Sequence, residues 1–159
     1  MRIVMAAIAI VFYLGGARAD GCDLLVGQLV DKVQGLEVVE RRIADSLEDT
    51  VTMQHAEAQE VSVLCPDQGI PYARLNVGFA KDSPSPAYFA LVGEMGAVVT
   101  NAPADQLRAG AQECQRRALA SNSMLGSFRK DGILFECAAL TRASGKTLLT
   151  VSRPVASTR

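Results

Sequence analysis

The chain has 159 residues, 49% of them hydrophobic, with 16 Lys or Arg against 17 Asp or Glu and a formal net charge of −1. That balance supplies no positive patch of the kind nucleic-acid recognition starts from, and Glu40-Arg41-Arg42 and Arg116-Arg117 are short pairs that read as solvated helix faces. Trp is absent and aromatic residues make up 5%, which leaves little flat surface for stacking sugars.

Met1 and Arg2 make a short positive start, and Ile3 to Leu14 follow without a charge. Gly15 and Gly16 break that run, and Ala17-Arg18-Ala19 places alanine at −3 and −1 of a cut after Ala19. This is the order of parts in a secretory signal, and the apolar run is shorter than the about 20 residues of a spanning helix. We expect residues 1–19 to be a cleaved signal peptide and 20–159 a single α+β domain. Its expected location is the periplasm or the medium, with no integral membrane span. Ala19-Asp20-Gly21-Cys22 fits a lipoprotein signal poorly, and Arg2 alone does not make a twin-arginine signal. The signal holds two basic residues, Arg2 and Arg18, and no acidic one, so cleavage leaves a charge of −3.

All four cysteines, Cys22, Cys65, Cys114 and Cys137, lie beyond the signal. An even number in an exported chain reads as two disulfides. They are too far apart for a C-x-x-C redox motif, and with His55 the sole histidine they do not make a zinc set. No metal and no cofactor are expected.

Residues 22 to about 58 read as helix, because Cys22, Val26, Leu29, Val33, Leu36, Ile43 and Leu47 recur at three- and four-residue steps. Gly35 is the point where that helix would split. The period then changes to two. Val61, Val63 and Cys65 predict one strand and Ala73, Leu75, Val77 and Phe79 another, with a turn through Pro66-Asp67-Gln68-Gly69 between them. Lys81 to Pro86 is a loop by composition. Tyr88 to Val92 predicts a buried strand, turned by Gly93-Glu94-Met95-Gly96 into a short partner at Ala97 to Thr100. A second helix is predicted from Ala104 to Ala120, with Leu107, Ala111, Cys114 and Ala118 on one face. Ser121 to Asp131 reads as a polar loop. Ile133, Phe135, Cys137 and Ala139 predict a further strand. A turn through Ala143-Ser144-Gly145-Lys146 leads to a last strand, Thr147 to Arg153, and a short tail. The expected fold is α+β: an antiparallel sheet of about five or six strands in the order α-β-β-β-(β)-α-β-β.

Cys114 falls on the apolar stripe of the second helix, and Cys137 on the core face of the next strand. A helix and the strand that follows it tend to pack together, so the preferred pairing is Cys114 with Cys137 and Cys22 with Cys65. Bridged cysteines are not nucleophiles. His55 sits in a polar stretch and reads as exposed. Glu94 and Glu136 are the acids that an acid-pair hydrolase would use, although their plain reading is a turn acid and a solvent-facing strand acid. Candidate contact residues are Tyr88 and Phe89 behind one loop, and Met124, Leu125 and Phe128 in the other, because large apolar groups in loops ask for cover. The leading expectation is an exported domain that binds another protein, as an inhibitor, accessory or virulence-associated factor, without catalytic activity. The alternatives are a small envelope enzyme using acidic residues and a structural subunit of an envelope complex. The partner's identity and the oligomeric state are left open.

Overall fold

A computed structural model describes residues 21–43, 49–66, 72–80, 83–140 and 146–154. The expected signal at 1–19, the turn at Asp67–Gly69, Lys81-Asp82, the turn at Ala143–Gly145, Leu47 and the tail at 155–159 lie outside the described residues.

Among the described residues the chain order is α1 (Gly21–Lys32), β1 (Glu37–Ile43), β2 (Asp49–His55), β3 (Ala58–Leu64), β4 (Arg74–Phe79), α2 (Pro86–Thr100), α3 (Ala104–Ala120), β5 (Leu125–Lys130), β6 (Ile133–Leu140) and β7 (Lys146–Ser152). The seven strands form one antiparallel sheet in the order β1-β2-β3-β4-β7-β6-β5. This is the expected α+β class, with seven strands rather than five or six.

Three segments differ from expectation. The helix predicted to reach residue 58 is α1 alone, of 12 residues. It ends before Gly35, whose φ of +80° lies in the left-handed region that glycine enters without strain. The β-branched pair Val38-Val39 then extends as β1, and in β2 the buried Val51 and Met53 alternate with the half-buried Thr50 and Thr52 and the exposed Gln54. The strand pair predicted over Tyr88–Thr100 is instead the helix α2. Ser85 caps it, its hydroxyl accepting from the Tyr88 N–H at 3.0 Å, and Pro86 stands in the first turn, where a missing N–H costs nothing. α2 is apolar almost all round because it is buried between the sheet and its neighbours, so it shows no period to read. Gly93 is a site of close approach rather than a turn: a Cβ there would lie 2.7 Å from the Ala104 carbonyl oxygen of α3. The polar loop at 121–131 contains β5. Asp131 (φ 50°) and Gly132 (φ 78°) form a two-residue hairpin turn that sets Lys130 opposite Ile133.

The core lies between one face of the sheet and the helices. Val51, Met53, Val61, Val63, Leu75, Val77, Ile133, Phe135, Leu149 and Val151 supply the sheet side. α2 packs against β4 and β7, and α3 against β5 and β6. α1 is tied to the end of β3 by the Cys22–Cys65 bridge.

Tyr88 is fully buried, with its hydroxyl donating to the Val77 carbonyl at 2.9 Å and its ring against Phe79 and Phe89. Burial raises the phenol's pKa well above its ordinary 10.0. The unfolded phenol loses its proton near pH 10 while the folded one keeps it. The native state then binds more protons above about pH 10, and stability falls as the pH rises past that point. Denaturation at about pH 8, 10 and 11 is expected to show this fall, at up to about 1.4 kcal/mol per pH unit. Tyr88→Phe is expected to lose about 1 kcal/mol at neutral pH, from the hydrogen bond, and to lack that part of the alkaline slope. Equal slopes in the two proteins would contradict the account.

Candidate functional site

The residues singled out in the sequence fall into three places. The first is the helix-covered core. Cys22 is bonded to Cys65 and Cys114 to Cys137, with Cα–Cα distances of 5.2 and 6.0 Å. This is the pairing preferred from the periodicity, and all four side chains are buried. Tyr88 and Phe89, expected as contact residues behind a loop, are corrected to core residues of α2, at 0% and 7% exposure. The Tyr88 ring packs on Phe79 of β4 and the Phe89 ring on Tyr88.

The second place is the end of the sheet near α1. Arg41 of β1 binds Asp23 of α1 and both carboxylate oxygens of Asp49 of β2. Asp49 stands beside the sulfurs of Cys22 and Cys65. Those sulfurs are bonded to each other and offer no thiolate, so the trio is a clamp on α1 rather than a metal centre. His55 is half-buried: its Nδ1 accepts from the Glu57 N–H at 3.1 Å, which leaves Nε2 to donate to the Gln34 carbonyl at 3.1 Å. Both ring nitrogens are engaged in holding the α1–β1 connection against the β2–β3 turn. Glu94 is exposed on α2, one residue from Gly93 and apart from the groove described below.

The third place is the other face of the sheet, which no described helix covers and which is open at Leu125, Ser127, Glu136 and Leu148 but closed at Ser152, which is fully buried. The register aligns its side chains in rows across the strands. One row runs Thr52, Ser62, Asn76, Thr150, Glu136 and Ser127, from β2 to β5. Six strands at about 4.8 Å give it a width of about 24 Å. Its centre is a hydrogen-bonded chain in which Asn76 Nδ2 donates to Ser62 Oγ at 3.3 Å and Thr150 Oγ1 donates to Asn76 Oδ1 at 2.9 Å. Beside it runs an apolar row of Leu148, Ala138 and Leu125. Leu148 is 42% and Leu125 56% exposed. On the other side lie Arg74, Ser152, Leu134 and Arg129.

Over β5, β6 and β7 these rows form an open groove of about 450 Å³, with Leu125, Ala138 and Leu148 on one side and Ser127, Glu136 and Thr150 on the other. No protein-family model, curated protein or solved structure matches the chain.

Of the expected contact residues, the structure brings Leu125 to this groove; Met124 and Phe128 are corrected to half-buried residues packed against the core, Phe128 on the helix-covered face of the sheet. The Phe128 ring stacks on Phe135 with centroids 5.1 Å apart, and the Arg117 guanidinium lies 4.4 Å over it. Glu136 is exposed in the groove floor, between two hydroxyls rather than beside a second carboxylate. Leu148, Thr150, Ser127 and Asn76 were not singled out from the sequence. The alternation of β7 places Leu148 and Thr150 on the outer face, but only the register shows which outer residues are neighbours. The arrangement combines an apolar strip for anchoring with hydroxyls, an amide and a carboxylate for polar recognition.

Proposed function

We propose that the chain is exported and that its mature part binds another protein, without catalysis, through the uncovered face of the sheet at the β5–β6–β7 end. The observation that carries this reading is the exposed Leu125–Ala138–Leu148 strip beside the Thr150–Glu136–Ser127 row. An apolar strip rimmed by polar groups is the surface a partner covers. The signal-like order of residues 1–19 and the two bridges support the location outside the cytoplasm. No described helix is long and apolar enough to cross a membrane. The acid-based enzyme reading led with Glu94, which is exposed on α2 and does not line the groove. The envelope-subunit reading needed a long first helix, and α1 has 12 residues.

The test is capture from the extracytoplasmic fraction by the oxidised protein, beside a Leu125→Lys/Leu148→Lys variant. Two half-exposed leucines that become covered contribute about 2 kcal/mol together, so the variant is expected to bind its partner at least about tenfold more weakly. Its own stability should change by no more than about 1 kcal/mol, since both side chains are at the surface. Capture that is equal for the two proteins would overturn the reading.

A further inference from the structure

The two edges of the sheet are built differently. β1 carries a bulge between Val38 and Glu40 and four charged side chains, Glu37, Glu40, Arg41 and Arg42. Bulges and charges are the devices that keep an edge from adding a strand. β5 has an unbroken register with β6 from Leu125–Ala138 to Lys130–Ile133, and its charges are confined to Arg129 and Lys130 at one end.

The hydrogen-bond phase of β5 follows from one contact. The Ala139 N–H donates to the Met124 carbonyl at 2.9 Å, which makes Met124 and Ala139 a bonded pair. Bonded and non-bonded pairs alternate in an antiparallel ladder. The N–H and C=O groups of Leu125, Ser127 and Arg129 therefore point away from β6, toward the open edge. Among the described residues no further strand pairs with β5. The side chains of these three residues are all exposed on the uncovered face. The three rows of that face end on them: Leu148, Ala138, Leu125; Thr150, Glu136, Ser127; Ser152, Leu134, Arg129.

We propose that β5 is the strand to which the partner adds, by an extended antiparallel segment whose chain direction reads acidic, any, polar, any, apolar. This rests on the protein-binding reading above and specifies how the partner is held. An apolar side chain opposite Leu125 lengthens the apolar strip, a hydroxyl opposite Ser127 continues the polar row, and a carboxylate opposite Arg129 meets an unopposed cation. Neither Arg129 nor Lys130 has an ion pair among the described residues. Directly opposed residues of a ladder share a face. A second copy of β5 centred on Ser127 would thus set each Arg129 against a Leu125, which favours a foreign segment over self-pairing. Main-chain bonds supply affinity in such additions and alternate side chains supply selectivity.

The probe is the capped peptide Thr-Glu-Val-Thr-Val-Leu-Thr, titrated into the oxidised protein. At about 90% occupancy, exchange of the Leu125, Ser127 and Arg129 amides is expected to slow about tenfold, while those of Gly126 and Phe128, already bonded to β6, change little. Arg129→Glu is expected to weaken binding about five- to tenfold, because a cross-strand attraction becomes a repulsion. A peptide with Lys in place of Glu is expected to bind that variant better than it binds the unaltered protein. Absence of binding at millimolar peptide, binding that leaves the three amides exchanging freely, or an equal loss for both peptides would overturn strand addition. A captured partner that is lost on Leu125→Lys/Leu148→Lys yet leaves the three amides unprotected would overturn strand addition alone and leave the protein-binding reading standing.

Discussion

Replacing Cys22 and Cys65 together by alanine is expected to lower the stability of the oxidised protein by about 4 kcal/mol. The bridge joins residues 43 apart, and in the chain-entropy account a cross-link of that span removes about this much freedom from the unfolded chain. The Cys114–Cys137 bridge spans 23 residues, and its loss is expected to cost about 3 kcal/mol. The larger effect also has a local signature. α1 has 12 residues, too few to hold a helix in water unaided. What keeps it in place is the bridge, the buried Leu29, Val33 and Leu36, and the Asp23–Arg41–Asp49 clamp. Urea denaturation followed by circular dichroism should give a lower midpoint, with α1 amides exchanging ahead of the rest. A loss under about 1 kcal/mol would mean that the clamp and the core alone anchor α1. A small domain has about 5–15 kcal/mol of stability, so a chain held reduced is expected to accumulate unfolded. Two bridges are compatible with a place outside the cytoplasm.

Gly110→Ala is expected to destabilise by about 1 kcal/mol net although it improves helix propensity. A Cβ at Gly110 of α3 would lie 2.3 Å from Cζ of Phe135 and 2.6 and 2.8 Å from its Cε atoms. Phe135 is 1% exposed and is held from its other side by the stacked Phe128 ring, so the ring has nowhere to move. Overpacking of this kind costs about 1–3 kcal/mol, against a gain of about 1 kcal/mol from replacing glycine in a helix. The signature is non-additivity. Phe135→Leu should cost stability alone but relieve Gly110→Ala, giving a coupling of at least about 1 kcal/mol in a double-mutant cycle. Additive effects would show that α3 shifts outward instead of pressing on the ring.

Alternation exposed β3, β4, β6 and β7 in the sequence because each buries one face under the helices and leaves the other wet. α3 was equally legible, with Leu107, Ala111, Cys114 and Ala118 at helical steps and all buried. β1 and β2 were hidden by coincidence: Leu36, Ile43 and Leu47 continue the stepping of α1, while the strand signal lay in Val38-Val39 and Thr50–Met53. α2 was misread because a helix buried on nearly all sides has no polar face to reveal its period. Its decisive sign was the Ser85-Pro86 start. β5 is an edge strand with Gly126, Ser127, Arg129 and Lys130, so composition made it look like a loop, and Asp131-Gly132 was the hairpin signal that marked it.

The site was legible only in fragments. Leu125 stood out as apolar in a polar stretch and Glu136 as an outward strand acid. Asn76 and Thr150 are hydrogen-bonded across 74 positions of sequence, and no local pattern links them. Their adjacency comes from β7 inserting between β4 and β6, which is long-range pairing. Tyr88 and Phe89 were named for the surface because a loop precedes them. The helix that follows that loop turns both rings inward.

Hydrogen exchange on the oxidised protein, measured with and without its captured partner, reports most directly on whether the uncovered face is the docking surface. The expected result is slowed exchange in 125–138 and 146–152, with the greatest change at Leu125, Ser127 and Arg129, and little change in α1 or β1. Protection concentrated on the outer surfaces of α1 and α3, with β5 to β7 unaltered, would contradict it.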